Sequence, residues 1–107
     1  MRQLSAVQLN TMLQAPVADR PVVIDVRETW EWELARINGA THLPMQEIPA
    51  RFQELDSTHP TVVICHHGVR SLQVVAYLQR MGFDNLHNLE GGIDAWSRTV
   101  DRAVPLY

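Results

Sequence analysis

The 107-residue chain is expected to fold as an α/β domain around a mostly parallel sheet flanked by helices. Three observations point there. Runs of β-favouring residues at 22–26, 61–64 and 86–89 alternate with segments that carry helical spacing. Residues 22–26, Val-Val-Ile-Asp-Val, form a nearly continuous apolar run after Pro21, the pattern of a strand covered on both faces. Short turns join the segments, so parallel strands would be linked by right-handed crossovers, with ligands at the strands' carboxyl edge.

In chain order, Arg2, Gln3 and Leu4 carry a weak strand signal suited to an edge. Ser5 and Gln8 make a capping box, and Leu9, Met12 and Leu13 share one side of a helix that ends before Pro16. Asp25 and Arg27 close the first buried strand, with Asp25 expected to pair with a neighbouring charge or a turn N–H. Residues 29–35 predict a short helix with Trp30 and Leu34 on one face, and Trp32 pointing elsewhere. A turn and a short strand follow within 39–44, where His42 reads as a satisfied structural histidine. Ile48, Phe52 and Leu55 sit at helical spacing before the loop 56–60. A last strand at 86–89 leads through Gly91 and Gly92 into a helix from Ile93 to about Arg98. The paired glycines lack phosphate-loop spacing and a binding lysine, and predict a tight turn that brings backbone close to the loop after residue 64.

The chain is organised around residues 61–78. Four β-favouring residues run into Cys65, the only cysteine; His66, His67 and Gly68 turn the chain; a helix then begins. Leu72, Val75, Ala76 and Leu78 are expected on its buried side, and Gly82 ends it after Met81. This places a sulfur at a strand's carboxyl end, facing a helix N-terminus, where unpaired N–H groups and the helix dipole favour an anion. That anion is the cysteine's own thiolate, a bound oxyanion, or each in turn. A lone cysteine at a strand end is commonly filler. The glycine, the arginine and the helix start directly downstream argue instead for a reactive thiol.

One domain spanning 1–107 is expected, with 46% hydrophobic residues enough for its core. A single cysteine cannot form an internal disulfide, which fits a reducing compartment, and no apolar run approaches a membrane span. A cytoplasmic protein with no membrane partner is expected. The net charge of −3, without basic runs, argues against nucleic acid as a partner. No metal is expected either. Cys65, His66 and His67 are consecutive, whereas zinc ligands are usually spaced further apart, and His42, His59 and His87 have no evident pairing.

The stretch Cys65-His66-His67-Gly68-Val69-Arg70-Ser71 resembles the active-site loop of single-domain rhodaneses, sulfurtransferases that accept sulfane sulfur on a cysteine. Residues 24–28 (Ile-Asp-Val-Arg-Glu), 37–44 (Ile-Asn-Gly-Ala-Thr-His-Leu-Pro) and 89–96 (Leu-Glu-Gly-Gly-Ile-Asp-Ala-Trp) extend the resemblance in the family's order. Arg36 departs from the histidine usual there, at a position outside the chemistry. The resemblance implies a rhodanese-like three-layer domain of about five strands, with Cys65 as catalytic nucleophile and no cofactor. Substrate would meet the loop of His66, His67, Gly68, Val69, Arg70 and Ser71. The implied partners are a small sulfur donor such as thiosulfate or a persulfide, and cyanide, a thiol or a protein as acceptor. Arg70 would attract the donor's sulfonate or orient the loop through a carboxylate. His66 and His67 would add positive potential at low pH, or face solvent.

Two other readings use the same loop. A cysteine-dependent phosphatase or arsenate reductase shares the thiolate, the N–H cradle and the arginine, but places five residues between cysteine and arginine. Here four intervene, a tighter cradle suited to one sulfur atom. A non-enzymatic persulfide carrier or interaction module would need the same residues, and small-molecule acceptor turnover separates it from an enzyme.

Overall fold

The computed structural model describes residues 1–107. Its sheet holds β1 (Arg2–Leu4), β2 (Val22–Asp25), β3 (Thr41–His42), β4 (Thr61–Ile64) and β5 (Leu86–Leu89), in the order β1-β5-β4-β2-β3. Every pairing is parallel. The cysteine-bearing β4 is therefore central, and all four of its residues are buried. The weakly signalled first strand is real, pairing with β5 at one edge.

Alternating side chains feed two cores. Val62 and Ile64 join Leu9 of α1 (Ala6–Met12) and Ile93 and Trp96 of α5 (Gly92–Thr99) on one face. Val63 and Cys65 join Ile48 of α3 (Ile48–Arg51) and Val74, Val75 and Leu78 of α4 (Val69–Arg80) on the other. Two helical layers on a buried sheet complete the expected three-layer arrangement. A further helix, α2 (Thr29–Leu34), follows β2 at the sheet's carboxyl edge. No helix is long and apolar enough to cross a membrane.

Local signals hold where they are made of backbone chemistry. Gln8 N–H donates to Ser5 Oγ at 3.1 Å while Ser5 N–H donates to Gln8 Oε1 at 2.9 Å, closing the predicted capping box on α1. Gly82, with φ +97°, ends α4: its N–H reaches Gln79 O at 3.1 Å and the Phe83 N–H reaches Leu78 O at 3.0 Å. The helix at 48–55 divides into α3 and a 3-10 turn over Phe52–Glu54, yet Ile48, Phe52 and Leu55 still face one core.

One helix face differs from expectation. The inward stripe of α4 is Ser71, Val74, Val75 and Leu78, which leaves Leu72 and Ala76 exposed. On α2, Trp30 and Leu34 share a face as expected, and it is the solvent face, Trp30 being 58% exposed, while Glu31 turns inward. In both helices a polar residue holds the first inward position because that helix end borders the cysteine loop rather than the core. Apolar periodicity alone assigns the wrong phase to α4.

Candidate active site

Cys65 directly follows β4, and its side chain, 1% exposed, points to the α4 side of the sheet. The chain then turns through His66 and His67 to Gly68, which stands at the N-cap of α4 with φ +102°. This left-handed conformation favours glycine and aims the Gly68 N–H at Cys65 Sγ, 3.0 Å away. A Cβ at Gly68 would press on Leu89 O and Gly91 N at 3.3 and 3.4 Å. Gly68 is thus needed for both φ and close packing.

Ser71, one turn into α4, brings Oγ to 3.3 Å from the sulfur. Its hydroxyl donates to Asn88 Oδ1, on the neighbouring strand β5. The Asn88 amide is oriented by its Nδ2, which donates to Gln3 Oε1 at 3.0 Å and Gly68 O at 3.3 Å. Ser71 has one hydroxyl proton, so toward Cys65 it offers lone pairs and the thiol S–H is the donor. The order Cys65, Ser71, Asn88 is a directed chain of hydrogen bonds with almost no exposure to water. Asn88 escaped the sequence reading. Its one signal is that it is a polar residue inside the strand run 86–89.

A second helix end is built into the loop. Gly91 and Gly92, with φ +75° and +60°, bring α5 close enough for Ile93 N–H to donate to Cys65 O at 2.9 Å and Asp94 N–H to His66 O at 3.1 Å. A Cβ on Gly92 would collide with both carbonyl groups. The paired glycines therefore do what their sequence predicts. The first amides of α5 hold the loop's carbonyls while the N-cap amide of α4 faces its sulfur.

Charge is organised around Glu31. Arg70 NH1 and NH2 bond its two carboxylate oxygens at 2.6 and 2.8 Å, with side-chain exposures of 34% for Arg70 and 4% for Glu31. Arg70 holds the Glu31 carboxyl down at about 2, against the opposing effect of burial, with the Tyr107 hydroxyl assisting. That hydroxyl accepts from Arg27 NH1 at 2.7 Å and donates to Glu31 Oε2 at 2.8 Å. Burial first, and then its bond to Glu31, push the Tyr107 phenol up to about 12. Arg27 is locked to Asp25 by a fully buried pair at 2.6 Å, so Asp25 has the structural role expected of it. His42 is likewise satisfied, its Nε2 lying 2.7 Å from Arg27 O.

The histidines diverge from the sequence reading. The His66 ring is half-buried between Tyr107, stacked on it at 3.9 Å and 5°, and His67, tilted against it at 3.9 Å and 31°. Burial lowers the pKa of His66, and the nearby His67 lowers it further. Only His67 stands in solvent, as does the Val69 side chain at the start of α4. Asp94 on α5 brings a carboxylate up to both rings, so His66 and His67 converge on a common point while Cys65 stays apart.

Fold and site together define a class: a parallel α/β domain presenting one cysteine thiol between the end of a central strand and the N-terminus of a helix. The chain belongs to the rhodanese-like domain family, which matches residues 5–99. It is 35% identical over 82 residues to the thiosulfate sulfurtransferase GlpE of Pseudomonas entomophila, covering 77% of this chain and 75% of that protein. The chloroplastic rhodanese-like/PpiC domain-containing protein 12 of Arabidopsis thaliana is also 35% identical, over 112 residues. That match takes in 100% of this chain, which spans only 38% of the plant protein. The crystal structure of a rhodanese-like domain protein from Staphylococcus aureus has a TM-score of 0.85 at 29% identity, covering 100% of this chain and 99% of the other.

Proposed function

We propose that the protein is a sulfurtransferase that carries sulfane sulfur on Cys65 in two half-reactions. The observation that carries this reading is the Cys65 sulfur itself, held 3.0 Å from the Gly68 N–H at the start of α4, with four residues between Cys65 and Arg70. The similarity to two thiosulfate sulfurtransferases supports it. In the first half-reaction the Cys65 thiolate attacks the outer sulfur of thiosulfate. A new S–S bond forms, the donor's S–S bond breaks, and sulfite leaves with that bond's electron pair. In the second, cyanide or a thiolate attacks the outer sulfur of the Cys65 persulfide, and the Cys65 thiolate is the leaving group.

The residues around Cys65 act through orientation and fixed dipoles. The Gly68 N–H meets negative charge on the sulfur in either state. When the thiol gives up its proton, the Ser71 hydroxyl is placed to turn from Asn88 Oδ1 to the sulfur and become a donor. Arg70, already paired with Glu31, holds the first turn of α4 in place. A lone free thiol stays reduced in the cytoplasm, the compartment this reading assigns.

The test is intact mass spectrometry after mixing with thiosulfate in the absence of reductant. A species heavier by one sulfur atom should form, vanish on adding cyanide, and be absent in Cys65→Ala. An unchanged mass, or sulfur retained on Cys65→Ala, rejects the persulfide. Multiple turnovers with cyanide separate an enzyme from a carrier.

A further inference from the structure

We propose that His66, His67 and Asp94 form a binding site for a divalent transition-metal ion of the zinc class, beside the cysteine loop. One ligand atom from each residue lies within 4.8 Å of the other two. The residues come from two elements, the loop after β4 and the first turn of α5, and are tied together by the Asp94 N–H bond to His66 O at 3.1 Å. Their spacing is therefore set by backbone hydrogen bonds rather than by chance meetings of surface side chains.

A second observation points to a missing ligand. His66 Nε2 is buried and has no hydrogen-bond partner, a costly state for a polar nitrogen. Its ring is fixed in orientation by the stack on Tyr107. Asp94 gives one carboxylate oxygen to Arg98 at 2.9 Å and its other oxygen makes no hydrogen bond. His67 is exposed, so its ring can turn without disturbing the fold.

The ligand set selects the ion. Two imidazoles and one carboxylate suit zinc and its neighbours rather than calcium or magnesium, which prefer oxygen alone. Tetrahedral zinc with bonds of about 2.0–2.1 Å needs ligand atoms about 3.4 Å apart. Rotation of the His67 ring closes the remaining distance, and water completes the fourth position. Cys65 lies outside the set, with its sulfur held by Gly68 and Ser71. The third ligand comes from Asp94 on α5, not from the consecutive residues of the loop.

The experiment is zinc competition between tag-free protein and a chromophoric chelator, with far-UV circular dichroism verifying each variant's fold. Wild type should take up one zinc per chain with a Kd of about 10 μM or tighter. His67→Ala and Asp94→Asn should each weaken binding by about tenfold or more, while Cys65→Ala should bind within about threefold of wild type. Wild-type affinity in either weakened variant overturns the site. So does loss of binding in Cys65→Ala alone, which would mean simple thiol capture, or a wild-type Kd weaker than about 100 μM. Should Asp94→Asn fail to fold, the exposed His67→Ala decides.

Discussion

The two terminal nitrogens of Arg70 bond the two carboxylate oxygens of Glu31. This pair joins the first turn of α4 to α2, and Tyr107 ties it onward to the buried Arg27. Arg70 therefore has its anionic partner in place before any donor arrives, which favours loop orientation over donor capture.

Arg70→Ala should consequently slow transfer from thiosulfate and from an uncharged sulfur donor to the same degree, by about 5- to 150-fold (~1–3 kcal/mol). Arg70→Lys should not restore the rate, because an ammonium cannot reproduce the two-pronged bond. The comparison is kcat/KM for the two donors. A loss confined to thiosulfate would assign Arg70 to the sulfonate.

Glu31 makes the same pair visible in stability. Its carboxyl is held at about 2 when folded and titrates near 4.5 when not, so the unfolded chain binds the proton more tightly. The stabilisation is present above about pH 4.5 and is lost as pH falls toward 2. With Arg70 partly exposed, roughly 1–3 kcal/mol is expected. Urea unfolding across that range should show a smaller acid loss for Glu31→Gln than for wild type. Parallel curves would mean that the pair contributes nothing.

Asn88→Asp keeps the side chain's shape but replaces an N–H₂ donor with negative charge near Cys65. Alkylation of Cys65 by neutral iodoacetamide should slow by about tenfold or more, since charge on the sulfur is then disfavoured. Asn88→Ala adds no charge and leaves the Ser71 hydroxyl free to turn to the sulfur, so it should not slow the reaction. An unchanged rate in Asn88→Asp would show that the hydrogen-bond chain does not reach the sulfur.

Gly92→Ala should destabilise the protein by about 3 kcal/mol or more, because the new methyl meets the carbonyls of Cys65 and His66 at a positive φ. Gly39→Ala is the control: φ is +88° but nothing lies within 4 Å, so about 1 kcal/mol is expected from backbone strain alone. Thermal unfolding of both variants decides. Similar losses would show that α5 does not press on the loop.

The alternation of strands and helices, the Ser5 cap and the Gly82 stop could be read from sequence because each depends on neighbouring residues. So could the Cys65–Gly68 turn, whose glycine conformation is local. Asn88, Glu31 and Tyr107 could not, since each meets the site only after the chain has folded back across the sheet. The inward stripe of α4 is not legible from apolar spacing because Ser71 faces the site where an apolar residue would be expected. The meeting of Asp94 with the two loop histidines depends on how α5 seats against the loop, which no spacing reveals.

The seat of α5 on the carbonyls of Cys65 and His66 also has a meaning in time. During synthesis Cys65 is made before Asn88, Gly92 and Asp94, so the strand and helix that shelter its sulfur come later. At about 5–20 residues per second the thiol waits on the order of seconds before β5 and α5 can dock. A released chain that has not yet docked them carries an unsheltered cysteine, open to oxidation and to reaction with any passing electrophile. A free chain truncated before residue 86 should thus be alkylated at Cys65 much faster than the finished protein, a vulnerability confined to chains whose last strand and helix have not docked.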